Sequence, residues 1–400
     1  MERFALPLAV TVSLSLLVLG TSVSQASTNC SGALGGTHND VIVNGTSCTL
    51  NGATVLGSVL VNSGGMLTAT GGTTVNGSIQ VNSGGNIDLD NVSVLGDVSL
   101  LNSADVTVGS LATIGTLKLE SSGAVNASGN IGSIESKDSW GVKLDGAMIF
   151  PGGVNLELAS GPLEICGSTL NDGVNVVSTT GDVLIESSLS CAASTINATI
   201  IVKGGSGNVR LVGILTTIPG DLLVTEQNGN IFLKDVTLND VVVEKTLTGN
   251  VTLQNVITDS DISITNNAHV TINGTTLGSS IEINANSSVT VTDNSASLEQ
   301  VFISGNTGPV LVARNCDLML TVIENDDVTI INNNQADAIT AGATCNIGGF
   351  GLTYVEVNKN TSTVSVINNT GVLLTCADNS PAPTGINNTF TFTDKQCVGL

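Results

Sequence analysis

Two pairs of carboxylates stand at alternating positions, Asp88 with Asp90 and Asp259 with Asp261, and a third pair, Asp326-Asp327, is adjacent. Alternation along an extended strand puts both side chains on one face, so Asp88 and Asp90, or Asp259 and Asp261, could hold one calcium ion. Calcium asks for a cage of oxygens, and no such cage is written around either pair, so solvated outward positions are the competing reading. Imidazole is confined to His38 and His269, and guanidinium to Arg3, Arg210 and Arg314. General bases are therefore scarce. There is no Gly-x-Ser-x-Gly elbow, no His-Glu-x-x-His and no phosphate loop. Many serines beside two histidines are composition, not a triad. No catalytic residue is assigned on these grounds, and no cofactor is expected.

The elements that must position these residues are short and repeated. Gly57-Ser-Val-Leu-Val-Asn-Ser-Gly-Gly65 is followed by Gly77-Ser-Ile-Gln-Val-Asn-Ser-Gly-Gly85, Gly96-Asp-Val-Ser-Leu100 and Gly115-Thr-Leu-Lys-Leu119, with leading glycines 20, 19 and 19 residues apart. The lattice loosens but persists at Gly153-Val-Asn-Leu-Glu-Leu158, Gly173-Val-Asn-Val-Val177 and Gly220-Asp-Leu-Leu-Val224. Val-x-Val strings alternate inward and outward side chains, and the Asn, Gly, Ser and Asp between them suit tight corners. A unit of about 20 residues with short strands is one coil of a parallel β-helix, which buries its apolar face only against its neighbours. Propeller blades repeat at about twice that length with aromatic signatures, and immunoglobulin-like sandwiches carry a core Trp and a corner Tyr. Only 2% of this chain is aromatic, while its apolar residues are mainly Val, Ile, Leu and Ala. The expected fold is all-β, a parallel β-helix (β-solenoid).

Cysteine spacing supports that reading. Cys30 and Cys48, Cys166 and Cys191, Cys316 and Cys345, and Cys376 and Cys397 are each separated by about one coil. Residues one coil apart lie about 4.8 Å apart, inside the Cα range a disulfide accepts, so sequential pairing is expected. No Cys-x-x-Cys pair offers a zinc cluster instead.

Residues 1–26 have the order of a signal peptide: Met-Glu-Arg, an apolar run from Phe4 to about Gly20, and a small-residue stretch ending Ser24-Gln25-Ala26. The run is short for a membrane span and is interrupted by Thr11, Ser13 and Ser15. The expected organisation is a signal peptide (1–26), a solenoid (27–375) with an irregular insertion near 137–153, and a disulfide-closed cap (376–400). The insertion is placed where the beat slips around Trp140, the only Trp, and Pro151; a lone Trp reads first as a filler of packing gaps. All eight cysteines follow the cleavage point, which fits an oxidising, extracellular compartment.

The net charge of -22, from 33 acidic and 11 basic residues, argues against nucleic acid or an anionic membrane as partner. Twelve Asn-x-Ser/Thr triplets are glycosylation candidates: Asn29, Asn44, Asn76, Asn91, Asn126, Asn197, Asn250, Asn273, Asn286, Asn360, Asn368 and Asn387. A glycosylating host would be expected to use those on outward corners. Ice binding would need Thr-x-Thr rows repeated from coil to coil, and Thr68-Ala-Thr70, Thr290-Val-Thr292 and Thr391-Phe-Thr393 are isolated in the sequence.

Several copies of a Ser/Thr-Gly-x-Val/Leu turn occur: Ser160-Gly-Pro-Leu163, Thr180-Gly-Asp-Val183, Ser206-Gly-Asn-Val209, Thr248-Gly-Asn-Val251, Thr307-Gly-Pro-Val310 and Thr370-Gly-Val-Leu373. With the tail Cys376-Ala-Asp-Asn-Ser-Pro-Ala-Pro-Thr-Gly385 and Cys397, the pattern resembles right-handed parallel β-helix proteins of the pectin-lyase-like class, in particular an uncharacterised secreted subgroup with a similar tail. The resemblance implies fold and export. Polygalacturonase-like members of the class also carry Asn-x-Asp, Asp-Asp, His-Gly and Arg-x-Lys. Here Asp326-Asp327 is present, but neither histidine precedes glycine and no arginine precedes lysine by two.

The function expected from the sequence is a secreted, non-enzymatic structural or surface protein of an extracellular matrix, wall or coat. Its partners would be matrix or wall components, polysaccharide or calcium among them. The alternatives are a polysaccharide-active or carbohydrate-binding β-helix protein and an acidic matrix protein that engages calcium or mineral.

Overall fold

The computed structural model describes residues 26–187, 191–213, 220–246, 248–277, 280–296, 300–316, 318–333 and 352–400. Residues 1–25 of the expected signal peptide, and Cys345, lie outside them. Every regular element described is a β-strand, and every strand pairing is parallel. The chain winds through about 17 turns, which at about 4.8 Å per coil makes a rod of about 80 Å.

One coil shows the plan. Met66–Thr70 lies on one ladder, Thr73–Val75 on a second and Ile79–Val81 on a third, after which the chain returns to the first at Asn86–Leu89. These ladders are called sheet B, sheet C and sheet A in that order. Each strand places its alternate residues inward, so one inward column on sheet A runs Val41, Val59, Ile79, Val98, Leu117, Ile134, Val154 and Val174, all buried. Like stacks on like, with β-branched and leucine side chains packing at the coil spacing. The interior is too narrow for rings: no Phe, Tyr or Trp is fully buried among the described residues. Each inward Val or Ile contributes about 1.5–3 kcal/mol of burial, distributed evenly along the rod.

The repeated glycines have a steric cause. Gly77 donates its backbone N–H to the carbonyl of Gly57 at 2.8 Å, and a Cβ on Gly77 would come within 2.5 Å of that oxygen. The Ser/Thr-Gly-x turns form a second such column: a Cβ at Gly181 would stand 1.9 Å from the carbonyl oxygen of Gly161, and Gly207 sits on Gly181 in the same way. Thr370-Gly-Val-Leu373 departs from this set, because Gly371 lies inside the strand Thr370–Ala377.

Corners are closed by a two-residue device. A residue in the left-handed region is followed by a small or amide residue that turns inward and bonds to the coils above and below. From Asn267 onward this second residue is usually asparagine. One ladder runs Asn267, Asn286, Asn306, Asn325, Asn360, Asn379 and ends on Gln396. A second runs Asn294, Asn315, Asn333, Asn369 and Asn388. In the N-terminal half, Ser103, Ser122 and Ser139 do the same with hydroxyls.

Three of the expected cysteine pairs are disulfides, Cys30–Cys48, Cys166–Cys191 and Cys376–Cys397, with Cα separations of 5.5, 5.3 and 5.3 Å. The expected partner of Cys316, Cys345, is outside the described residues.

The stretch 137–153 is not an insertion. It supplies the strands Gly141–Asp145 and Met148–Ile149, each paired in register on both sides. The beat slips because corner lengths change: Leu117 stacks on Ile134 and Ile134 on Val154, a 17-residue step followed by a 20-residue one. The long steps are elsewhere, from Val174 to Ile200 and from Leu320 to Val355. Residues 376–400 continue the stack as one more coil, with Thr384–Ile386 and Thr389–Lys395 each paired on one side.

Candidate functional site

Asp88 faces outward on sheet B between Thr68 and Thr107, exposed, and Asp90 follows at the corner beside Gly109. Asp259 and Asp261 do not share a strand face. The strand Ile257–Thr258 is only two residues long, so 259–261 forms the corner before Ile262–Thr265. The Asp261 carboxylate there accepts bonds from the backbone N–H and hydroxyl of Ser280, at 3.0 and 2.7 Å, which ties one coil to the next. Asp326 and Asp327 are used alike, accepting from the hydroxyls of Thr361 and Ser362 at 3.0 and 2.6 Å. Among the described residues no three His, Cys, Asp or Glu side chains converge on a point where a metal ion could sit.

The histidines are far apart along the rod. His38 Nε2 lies 2.9 Å from the carbonyl of Gly35, and His269 pairs with Ser288. The cations are largely engaged by acids on adjacent coils: Lys118 with Asp97, Lys137 with Glu157, Lys143 with Glu164, Arg210 with Glu186, Arg314 with Asp293 and Lys359 with Glu324. The Lys118 ammonium, by its hydrogen bond, holds the Asp97 carboxyl below the usual carboxylate value. The hydrogen bonds that Arg314 donates to the Asp293 carboxylate raise its guanidinium above the ordinary value.

The glycosylation candidates divide sharply. Asn29, Asn44, Asn76, Asn91, Asn126, Asn197, Asn250 and Asn387 are exposed, and Asn273 and Asn368 are half-buried. Asn286 and Asn360 are interior rungs of the amide ladder, each with its Nδ2 donating to a carbonyl inside the fold. These two are not on outward corners, and the triplet pattern does not register which side of a corner the asparagine takes.

The threonines also arrange differently from the sequence expectation. Whole Thr-x-Thr motifs do not stack, but single threonines do: Thr68 on Thr49, and Thr252, Thr271 and Thr290 on three successive coils of sheet B. Register alone reveals this, since the intervening steps hide it in the linear sequence.

Trp140 is the largest surprise. It fills no packing gap and is 60% exposed. It occupies the column position that glycine holds on the next coil at Gly161, so its side chain has no interior to enter. The indole instead lies out over Gly161, where a Cβ would come within 3.0 Å of its Cδ1. Immediately after it, the strand Gly141–Asp145 turns Lys143 and Asp145 outward.

Three adjoining depressions of about 440, 230 and 230 Å³ meet at Lys143 and run along the outer side of sheet B from Thr107 to Glu186. Their polar side chains include Asn126, Lys143, Asp145, Glu164 and Glu186, with Trp140 at the side. Lys143 Nζ stands 3.1 Å from Glu164 Oε2. Two depressions on sheet A, about 470 and 430 Å³, share Glu135 and Asn155 and have no aromatic lining. Sequence reasoning singled out Trp140 and missed its neighbours, because Asn126, Lys143 and Glu164 become adjacent only once the 17- and 21-residue steps between them are known.

No protein-family model, curated protein or solved structure matches this chain.

Proposed function

We propose that this chain is a secreted structural or surface protein of an extracellular matrix, wall or coat, acting through long polar faces rather than through one catalytic centre. The observation that carries the reading is the uninterrupted stack of about 17 turns, closed at intervals by three disulfides. Disulfides of this kind persist in oxidising compartments. No helix among the described residues is long and apolar enough to cross a membrane. The turn motifs and cysteine-closed tail that resemble secreted right-handed β-helix proteins point the same way. A stack buries its core through every coil at once, which suits a load-bearing or displaying element.

The test is retention. The mature protein, incubated with insoluble wall and matrix polysaccharides with and without calcium, should be retained on at least one while releasing no sugar. Release of reducing ends or unsaturated uronides would replace this reading with that of a polysaccharide-active enzyme. Retention that appears only with calcium, and that disappears in Asp88→Asn with Asp90→Asn, would favour the calcium-engaging matrix protein.

A further inference from the structure

We propose that the groove on sheet B beside Trp140 binds a neutral, gluco-configured polysaccharide chain lying along the rod. This deepens the reading of a matrix or wall protein and rests on it for the presence of such a ligand.

Sugar recognition combines an aromatic plane, on which the apolar face of a pyranose stacks, with planar polar groups that bond to its equatorial hydroxyls. Both are present here and fixed in place. The indole of Trp140 is exposed yet held against Gly161, so little ordering entropy would be lost on binding. The ring's apolar face and its N–H donor are both open to a ligand. Asn126, Lys143 and Glu164 then follow one another on consecutive coils of the same outward column. Their spacing of about 4.8 Å is close to the length of one pyranose in an extended β-linked chain. Each sugar unit would therefore meet the side chain of a new coil.

Charge selects the kind of polysaccharide. Lys143 is paired with Glu164, and Arg210 with Glu186, which leaves Asp145 as an exposed carboxylate in the groove. A polyuronate would meet that carboxylate, the partnered acids and an overall charge of -22. A neutral glucan or an N-acetylglucosamine polymer would meet hydrogen-bonding partners without repulsion. The two share the same stacking face, and the experiment separates them.

Because Trp140 is the only tryptophan, its fluorescence reports directly on the site. The full mature protein is titrated with cello-, laminari- and chito-oligosaccharides and, in parallel, with oligogalacturonates. A saturable blue shift with one of the neutral series and none with oligogalacturonates is expected, and the series that works identifies the polymer. By calorimetry, Trp140→Ala should weaken that binding at least about tenfold, Lys143→Ala several-fold, and Trp140→Phe much less than Trp140→Ala. Circular dichroism and melting should be unchanged in all three, since these side chains are exposed. The proposal is overturned if no neutral oligosaccharide shifts the emission, if oligogalacturonates bind better, or if folded Trp140→Ala binds as well as the parent. Such a failure would leave the matrix role to be decided by the retention assay, which does not depend on this groove.

Discussion

The two halves of the rod solve one corner problem with different chemistry. Before about Ser139, left-handed corners fall largely to glycines, such as Gly64, Gly71, Gly72 and Gly84, and the inward residues that follow corners include Ser103, Ser122 and Ser139. Beyond about Asn266, the left-handed residue is often Lys, Arg, Asp or Glu, as at Asp293, Arg314, Glu324 and Lys359, and the residue after it is usually an interior asparagine. A non-glycine residue in that conformation costs about 1–2 kcal/mol. The amide that follows offsets it, because its oxygen accepts two N–H bonds from the preceding coil while its nitrogen donates to carbonyls. The difference teaches that a polar residue after a left-handed corner can tie it to its neighbours, although Asp235 and Asn255 hold the same conformation before the buried Val236 and Val256. It also explains how the C-terminal half absorbs its longest step. Asn325 bonds to Asn360 and Asn333 to Asn369, so both ladders pass unbroken over the 35- and 36-residue excursions between them.

The comparison breaks most visibly at Asn325. Asn325→Ala would leave the Asn306 backbone and amide N–H groups, and the carbonyls of Ile303 and Ile323, short of a partner. At about 1–3 kcal/mol for each group so stranded, a loss of about 3 kcal/mol or more is expected in denaturant unfolding. Amide exchange should quicken between about 301 and 376. Ser122→Ala, at the equivalent place in the hydroxyl ladder, should cost only about 1 kcal/mol. Equal losses at the two sites would remove the distinction between the ladders.

Next in size is the response to reductant. Cys30, Cys48, Cys376 and Cys397 are buried, whereas Cys166 and Cys191 are partly exposed at the groove on sheet B. Alkylation and mass spectrometry at rising dithiothreitol should therefore find the central pair opened first, with the terminal pairs resisting until the end coils loosen. Simultaneous opening of all three would show that the ends are no better protected than the middle.

A smaller effect of opposite sign is expected from Glu324→Gly, which removes left-handed strain while leaving Asn325 in place. It should stabilise by about 1 kcal/mol, and Gly84→Ala, in the glycine-cornered half, should destabilise by a similar amount. Matched melting curves check the pair.

Smallest is the acid limb at Asp97. Its folded pKa lies below the ordinary value of 3.8, so the stabilisation it brings is complete above that value and is lost as pH falls through the lower folded one. Asp97→Asn should remove the small rise in stability across that window and so lower stability slightly and evenly at every pH above it, by little because the ion pair is partly exposed. A loss seen only below the ordinary carboxylate value, with none at pH 7, would show that the acid limb does not come from this pair.

Much of this architecture was legible in the residues. The glycine beat and Val-x-Val strings gave the coil, because a steric requirement at Gly57, Gly77 and Gly96 recurs wherever backbones touch. The cysteines gave three pairings, because a disulfide and a coil happen to share a length. What stayed hidden was register. Trp140 and the shifted beat pointed to an insertion, when a short corner and a long one had merely traded residues. The asparagines read as surface acceptors, since an Asn-x-Ser triplet looks the same on an outward corner and in an interior ladder. The groove at Lys143 was illegible because its residues come from several coils, and corner lengths decide which of them meet.

The ladder has one consequence for how the protein is made. Asn286 and Asn360 both stand in Asn-x-Ser triplets, and the same Nδ2 that an oligosaccharyltransferase would modify is the one that donates inside the fold. In a secretory compartment that attaches glycans to emerging chains, transferase and fold compete for a single nitrogen at each site. A copy modified there has lost a rung and must house a sugar where there is no room, so it is barred from the native stack. Yield in such a host is thus decided by the order of two events, and Ser288→Ala with Ser362→Ala would remove the contest while leaving every rung intact.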